Sequence, residues 1–131
     1  DASIKELAHL AEDGSKIGII ATRATLATQI FDLTLVRLGY TVVLPNESLM
    51  DRLVLPGIDM VKAGEPLRGG QLIEQAVQTL LNNGARAVIL ACTETPLALD
   101  ATESQLRSHC VDTTEALARC CVAWWQSRQA P

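Results

Sequence analysis

Cys92-Thr93-Glu94-Thr95 is the segment of this sequence best equipped for chemistry. It places a thiol, two hydroxyls and a carboxyl group in one short run. Pro96 follows, so Thr95 and Pro96 read as the N-cap and first residue of a helix. Unpaired backbone N–H groups at a helix N-terminus stabilise a nearby thiolate and lower its pKa from about 8.5 to roughly 3.5–7.5. Such a sulfur works as a base or nucleophile near neutral pH. The other reading of Cys92 is a small residue filling a strand end. Its polar neighbours count against that reading, because a purely structural strand end has no use for them. A second polar cluster, Thr22-Arg23-Ala24-Thr25, also leads into a helix, with Thr25 as a cap. Hydroxyls beside free backbone N–H groups suit the binding of a carboxylate. Arg23 either pairs with a substrate carboxylate or is solvated, and the sequence leaves both open. Asp112-Thr113-Thr114 reads as a helix cap first and a site element second.

Both clusters follow short apolar runs. Lys16–Ala21 (KIGIIA) and Ala87–Ala91 (AVILA) are β-rich and bounded by turn signals, as buried strands are. Tyr40–Leu44, closed by Pro45, and Ser108–Val111 read as two more strands. Between and around them lie helical patterns. Residues 1–12 carry Ile4, Leu7, Ala8 and Ala11 on one face, with Asp1 or Ser3 as a cap and Gly14 as a stop. Residues 25–38 turn Ala27, Ile30, Phe31, Leu35 and Leu38 inward, and Gly39 ends them. Residues 47–62 are a weaker helical region interrupted by Pro56-Gly57. Residues 70–83 hold Ile73, Ala76, Val77 and Leu80 at helical spacing, and residues 113–127 place Leu117, Cys120, Cys121 and Trp124 on one stripe. Alternating strand and helix predicts an α/β fold: one three-layer, doubly wound domain with a parallel four-stranded sheet. Ligands of such sheets bind outside the carboxyl ends of the strands, where both polar clusters fall.

Composition narrows the function. The chain has 131 residues, 48 % of them hydrophobic and only 3 % aromatic, so aliphatic side chains must fill its core. A net charge of -4 argues against nucleic acid as a partner. No apolar run approaches the roughly 20 residues that span a bilayer, and no signal peptide is visible, so the expected location is the cytoplasm. The four cysteines make neither a disulfide framework nor a zinc pattern, and Cys110, Cys120 and Cys121 read as small core residues. His9 and His109 have no catalytic partners nearby and read as surface or boundary residues. Neither a dinucleotide fingerprint nor a P-loop follows the first strand.

Two segments together resemble the second lobe of aspartate/glutamate racemases. The first is KIGIIATRATLATQIFDLTLVRLGYTVVLP, in which a strand, a small-Thr-x-x-Thr loop, a long helix, a glycine and a strand ending in proline follow one another. The second, Gly84 to Leu97, carries Cys92-Thr93-Glu94 after a hydrophobic strand, like that family's second cysteine motif. Ala91 stands where the family usually has glycine, which narrows the approach of a substrate to the strand end. The resemblance covers about residues 14–127. It implies one lobe of a two-lobe racemase-like fold, with the site in the cleft between lobes and one cysteine from each. The first-lobe Cys-Asn-Thr segment does not occur here, which implies a missing N-terminal lobe. A weak echo points the same way: Asp1-Ala2-Ser3 before Leu7-Ala8 repeats Asp112-Thr113-Thr114 before Leu117-Ala118, which follows a strand. Chance capping explains the echo equally well.

The activity implied is cofactor-independent, two-base racemisation of aspartate or glutamate, with no metal. Cys92 is one acid/base. Thr93 and Thr25, assisted by Thr22, would hold the α-carboxylate, and Glu94 would orient or tune Cys92. The expected partner is a small amino acid or related carboxylate, with neither membrane nor nucleic acid, and a homodimer is open. An isolated lobe is expected to have little or no activity. Related superfamily activities remain as alternatives: hydantoin racemase, maleate isomerase and arylmalonate decarboxylase. So does a non-catalytic small-molecule binding module.

Overall fold

A computed structural model describes residues 2–129. Four parallel strands form one sheet in the order β2-β1-β3-β4. They are β1 (Lys16–Ile20), β2 (Thr41–Val43), β3 (Ala87–Leu90) and β4 (Cys110–Asp112). Ile20 pairs with Leu90, and Leu90 with Asp112. The chain leaves β1 toward β2, then crosses back to β3 on the other side of β1. The direction of winding therefore reverses between β1 and β3. That switch point is where doubly wound sheets open a crevice.

The strands are short because their job is burial: all of β3 and all but Lys16 of β1 are buried. Successive side chains point to opposite faces. Ile20, Val88 and Leu90 enter one core, and Ile17, Ile19, Ala87, Ile89 and Val111 the other. On the first face lie α5 (Leu55–Lys62), α6 (Pro66–Asn82) and α7 (Glu94–Ala101). On the second lie α1 (Ala2–Leu7), α2 (Arg23–Ala27), α3 (Ile30–Arg37) and α8 (Thr113–Gln129). None of the helices among the described residues is long and apolar enough to cross a membrane.

Several elements depart from the sequence expectation. The first helix stops at Leu7, well before Gly14, and Ala8 is exposed. Asp1, a proposed cap and part of the terminal echo, lies outside the described residues. The helix expected over 25–38 is two, broken at Gln29, whose φ of 53° is left-handed. Ala27, Ile30 and Leu38 are exposed rather than inward. The region 47–62 is not interrupted by Pro56. Helix α4 (Glu47–Leu49) continues through a π-helical stretch, Met50–Val54, into α5. Proline has no N–H to give and its ring crowds the preceding turn, so a wider turn ahead of it relieves the conflict.

Helix α6 begins at Pro66, earlier than expected, because proline is tolerated in a first turn. Gly69 and Gly70 do not break it. They let it touch its neighbours: a Cβ on Gly69 would lie 2.6 Å from the Gly57 carbonyl oxygen, and one on Gly70 would overlap that of Ala98. Ser108 and His109 lie in a 3-10 turn (Gln105–His109) rather than in β4, and His109 is exposed. The stripe expected to bury α8 also fails. Leu117, Cys121 and Trp124 are exposed, Cys120 is half-buried, and Ala116 is the buried residue of that helix. Cys120 and Cys121 are therefore not core residues, whereas Cys110 is.

Candidate active site

The register of β1 and β3 brings the two polar clusters together. Thr22 and Cys92 each follow by two residues the paired Ile20 and Leu90. Ala91 extends the ladder, its N–H donating to the Ile20 carbonyl at 2.9 Å. Neighbouring strands lie about 4.8 Å apart, so the two residues share one rim at the switch point. Both continue the alternation of the face packed by α5–α7, and Cys92 rests half-buried against that core.

Around the sulfur the hydrogen bonds converge on one atom. Cys92 Sγ donates to Glu94 Oε2 at 2.9 Å, and Thr93 Oγ1 donates to the same oxygen at 3.0 Å. Thr95 is fully buried and its hydroxyl donates back to the Cys92 carbonyl at 2.9 Å. Thr95 is thus inside the helix rather than its cap. Helix α7 starts at Glu94, with Thr93 in the cap position and no side-chain cap bond. At the other cluster Thr22, not Thr25, is the N-cap: its Oγ1 accepts from the Thr25 N–H at 3.3 Å. The two hydroxyls are 3.2 Å apart. Thr22, Thr25, Cys92 and Glu94 are half-buried, and Thr93 is exposed.

The protonation state reverses the expectation of a stabilised thiolate. Burial, and then the hydrogen bond to Glu94, push the Cys92 thiol up to about 11. The Glu94 carboxyl is held below its ordinary value, first by the Cys92 hydrogen bond and also by that of Thr93. At neutral pH the pair rests as thiol and carboxylate. The carboxylate sits where the helix N-terminus would otherwise favour sulfur anion. Lys62, at the end of α5, favours both anions by its charge. The sequence reading missed it, because only the packing of α5 beside α7 brings it near.

Arg23 is exposed, as the solvated reading has it, and it is also held by ion pairs that the sequence reading did not name. Its guanidinium donates to Glu47 at 2.7 Å and to Asp51 at 2.6 Å, tying the β1–α2 loop to α4 and the π-helical stretch. Those carboxylates raise its pKa. Asp112 does cap α8, its Oδ1 accepting from the N–H groups of Thr114 and Glu115 at 2.9 and 3.1 Å. Thr113 donates its hydroxyl to the Leu90 carbonyl at 3.2 Å, which ties the start of α8 to the end of β3.

One acid/base-capable thiol, a carboxylate bonded to it and two neighbouring threonines are what this rim offers. The chain is similar to an uncharacterized protein encoded in the pnlA 3' region of Pectobacterium carotovorum subsp. carotovorum. The two are 29 % identical over 111 residues, spanning 85 % of this chain and 73 % of that one. The sequence model of the Asp/Glu/Hydantoin racemase family matches residues 1–121. With its parallel sheet and its rim cysteine, this chain belongs to the Asp/Glu/hydantoin racemase family.

Proposed function

We propose that this chain is the second-lobe half of a cofactor-independent racemase acting on aspartate or glutamate, with Cys92 as one of its two acid/bases. The observation that carries the reading is the Cys92–Glu94 pair at the β1/β3 switch point, beside the Thr22–Thr25 pair. The substrate's α-carboxylate would lie against the hydroxyls of Thr22, Thr25 and Thr93. As base, Cys92 first passes its proton to Glu94. Its thiolate then takes the α-proton, so that the Cα–H bond breaks, an S–H bond forms, and the electron pair stays on the substrate as an enolate. Threonine hydroxyls and backbone N–H groups hold the charge that develops. As acid, the resting thiol gives its proton to a carbanion formed from the opposite side.

Inversion needs a second group on the opposite face of the substrate. Cys110 begins β4, and Cys120 and Cys121 lie on α8, so none of them stands at the rim. The second acid/base therefore comes from a partner lobe.

The protonated resting state of Cys92 also favours a second reading, decarboxylation of a malonate-type acid. There a single thiol need only protonate the carbanion left when carbon dioxide departs.

The test is to incubate the chain with L- and D-aspartate and glutamate in deuterium oxide. Inversion is followed by circular dichroism and α-deuteration by mass spectrometry. The expected result is α-deuteration without inversion, abolished in Cys92→Ala and slowed in Glu94→Gln. Full racemisation abolished by Cys92→Ala would show that one lobe, or a pair of identical lobes, suffices. Exchange that survives Cys92→Ala sinks the assignment, and carbon dioxide release from an arylmalonate selects the second reading.

A further inference from the structure

Of the polar side chains buried among the described residues, Thr95 lies deepest, with no exposure at all. Pro96, Ala98 and Leu99, which follow it on α7, are buried with it. A valine has the same outline and would place a methyl group in this hydrocarbon, so packing alone gives no reason for a hydroxyl. The hydroxyl makes one bond, to the Cys92 carbonyl at 2.9 Å. The Thr95 N–H donates to the same carbonyl at 3.2 Å. A carbonyl oxygen has room for both donors, so it keeps a partner when the hydroxyl is removed. The hydroxyl supplies the shorter bond.

The chain leading to the sulfur is held on its other side as well. The Leu90 carbonyl accepts from Thr113 Oγ1 at 3.2 Å, and the Ala91 N–H donates to the Ile20 carbonyl at 2.9 Å. Thr95 completes this series and closes the turn into α7. A threonine hydroxyl bonded to the carbonyl three residues back fixes its own χ1 and the plane of that peptide. The direction in which Cys92 projects its sulfur follows from that plane. Glu94 lies inside the same turn, so closing it also sets the 2.9 Å between Cys92 Sγ and Glu94 Oε2.

We propose that Thr95 is a positioning residue for Cys92: its buried hydroxyl pins the Cys92 carbonyl and so holds the sulfur against the Glu94 carboxylate. As a role in catalysis this rests on the acid/base reading of Cys92; as a statement about the thiol it does not. Without the hydroxyl the turn hangs on the longer N–H bond. The sulfur then loses part of its bond to Glu94 and meets more solvent. Both changes ease ionisation, because burial and then that bond are what raise this thiol to about 11. Proton transfer to Glu94 suffers at the same time, because the two groups fall out of line.

The test follows Cys92 by iodoacetamide alkylation from about pH 7 to about pH 11, with the Cys92 peptide read by mass spectrometry. Thr95→Val is expected to move the midpoint down by about 0.5–1 pH unit, a roughly 3–10-fold gain in rate near neutral pH, with little change in urea unfolding. Thr95→Ser keeps the hydroxyl and is expected to restore the unaltered profile. In deuterium oxide, Thr95→Val is expected to lower kcat for α-deuteration of aspartate or glutamate about 10-fold with KM unchanged, since it touches no substrate. A Thr95→Val profile that overlays the unaltered one overturns the proposal. A Thr95→Ser profile displaced like that of Thr95→Val overturns it too, because the methyl group is then what holds the turn. Should Thr95→Val not fold, Thr95→Ser decides alone. A displaced profile in a chain that exchanges no α-proton supports the tie and counts against the acid/base role of Cys92 instead.

Discussion

On one side of the sheet, α5, α6 and α7 interlock closely enough that Gly57, Gly69 and Gly70 are needed where they touch. Ile73, Ala76, Val77 and Leu80 of α6 are fully buried there, with Ala98 and Leu99 of α7 beside them. On the other side the strands are equally apolar, but the helices bury little of themselves. Leu35 is the buried residue of α3, Ala116 that of α8, and Ser3 and Leu7 those of α1. The difference lies in cover rather than in composition. The packed side is a finished core, and it carries Cys92 and Glu94 at its rim. Under the proposed function, a sulfur that must hold its position within a fraction of an ångström gains from that close packing. The open side leaves Ile30, Leu33, Val36, Leu117, Trp124 and Trp125 exposed.

Substitutions that remove or add volume test this contrast directly. Leu80→Ala on the packed side is expected to cost about 2–5 kcal/mol in urea unfolding, since a rigid core relaxes little around a cavity. Gly70→Ala is expected to cost about 1–3 kcal/mol, toward the upper end because the added methyl meets the backbone of Ala98 rather than a movable side chain. If either proves neutral, the packed side is looser than its contacts imply.

Alkaline pH offers a milder probe of the same side. Burial raises the Cys110 thiol to about 12, and burial with Glu94 raises Cys92 to about 11, both from 9.0. Thiols whose folded pKa is raised lend stability that is complete below the unfolded value and is lost as pH climbs through the folded one. Unfolding free energy should therefore fall from about pH 9 toward pH 12, and Cys110→Ala should flatten the upper part of that slope. A slope unchanged in Cys110→Ala would show that this thiol is not shielded. The smallest effect is expected on the open side: Leu33→Ala should change monomer stability by less than about 0.5 kcal/mol, measured where the chain is dilute. A large loss there would mean that α3 is already covered in the monomer.

The sequence was most informative where burial is complete. KIGII and AVIL are strands because every residue past Lys16 has an apolar destination, and α6 shows its periodicity because one face is dry and the other wet. The same periodicity misled on α3 and α8. A hydrophobic stripe states that a face seeks cover, not that this chain provides it, so Ile30 and Trp124 looked buried when they are not. At the rim, the motif located Cys92 but not its protonation. That depends on the Glu94 side chain turning back to accept from sulfur. The partners of Arg23 were hidden for a different reason: Glu47 and Asp51 lie 24 and 28 residues away, joined to it only by the fold.

The π-helical stretch at Met50–Val54 sets more than the path around Pro56. An α-helix advances about 100° per residue, so the wide turn fixes the azimuth at which everything ahead of it leaves the axis. Glu47 precedes the stretch and Asp51 lies within it, and both grip Arg23 beside the Thr22 cap. Deleting one residue between Met50 and Val54 would restore an ordinary turn with Glu47 near its present azimuth, whereas one more residue, with no wide turn left to absorb it, would swing Glu47 about a quarter-circle around the axis. The anchor of the β1–α2 loop is thus indexed by a helical miscount, and the spacing of that segment matters as much as its composition.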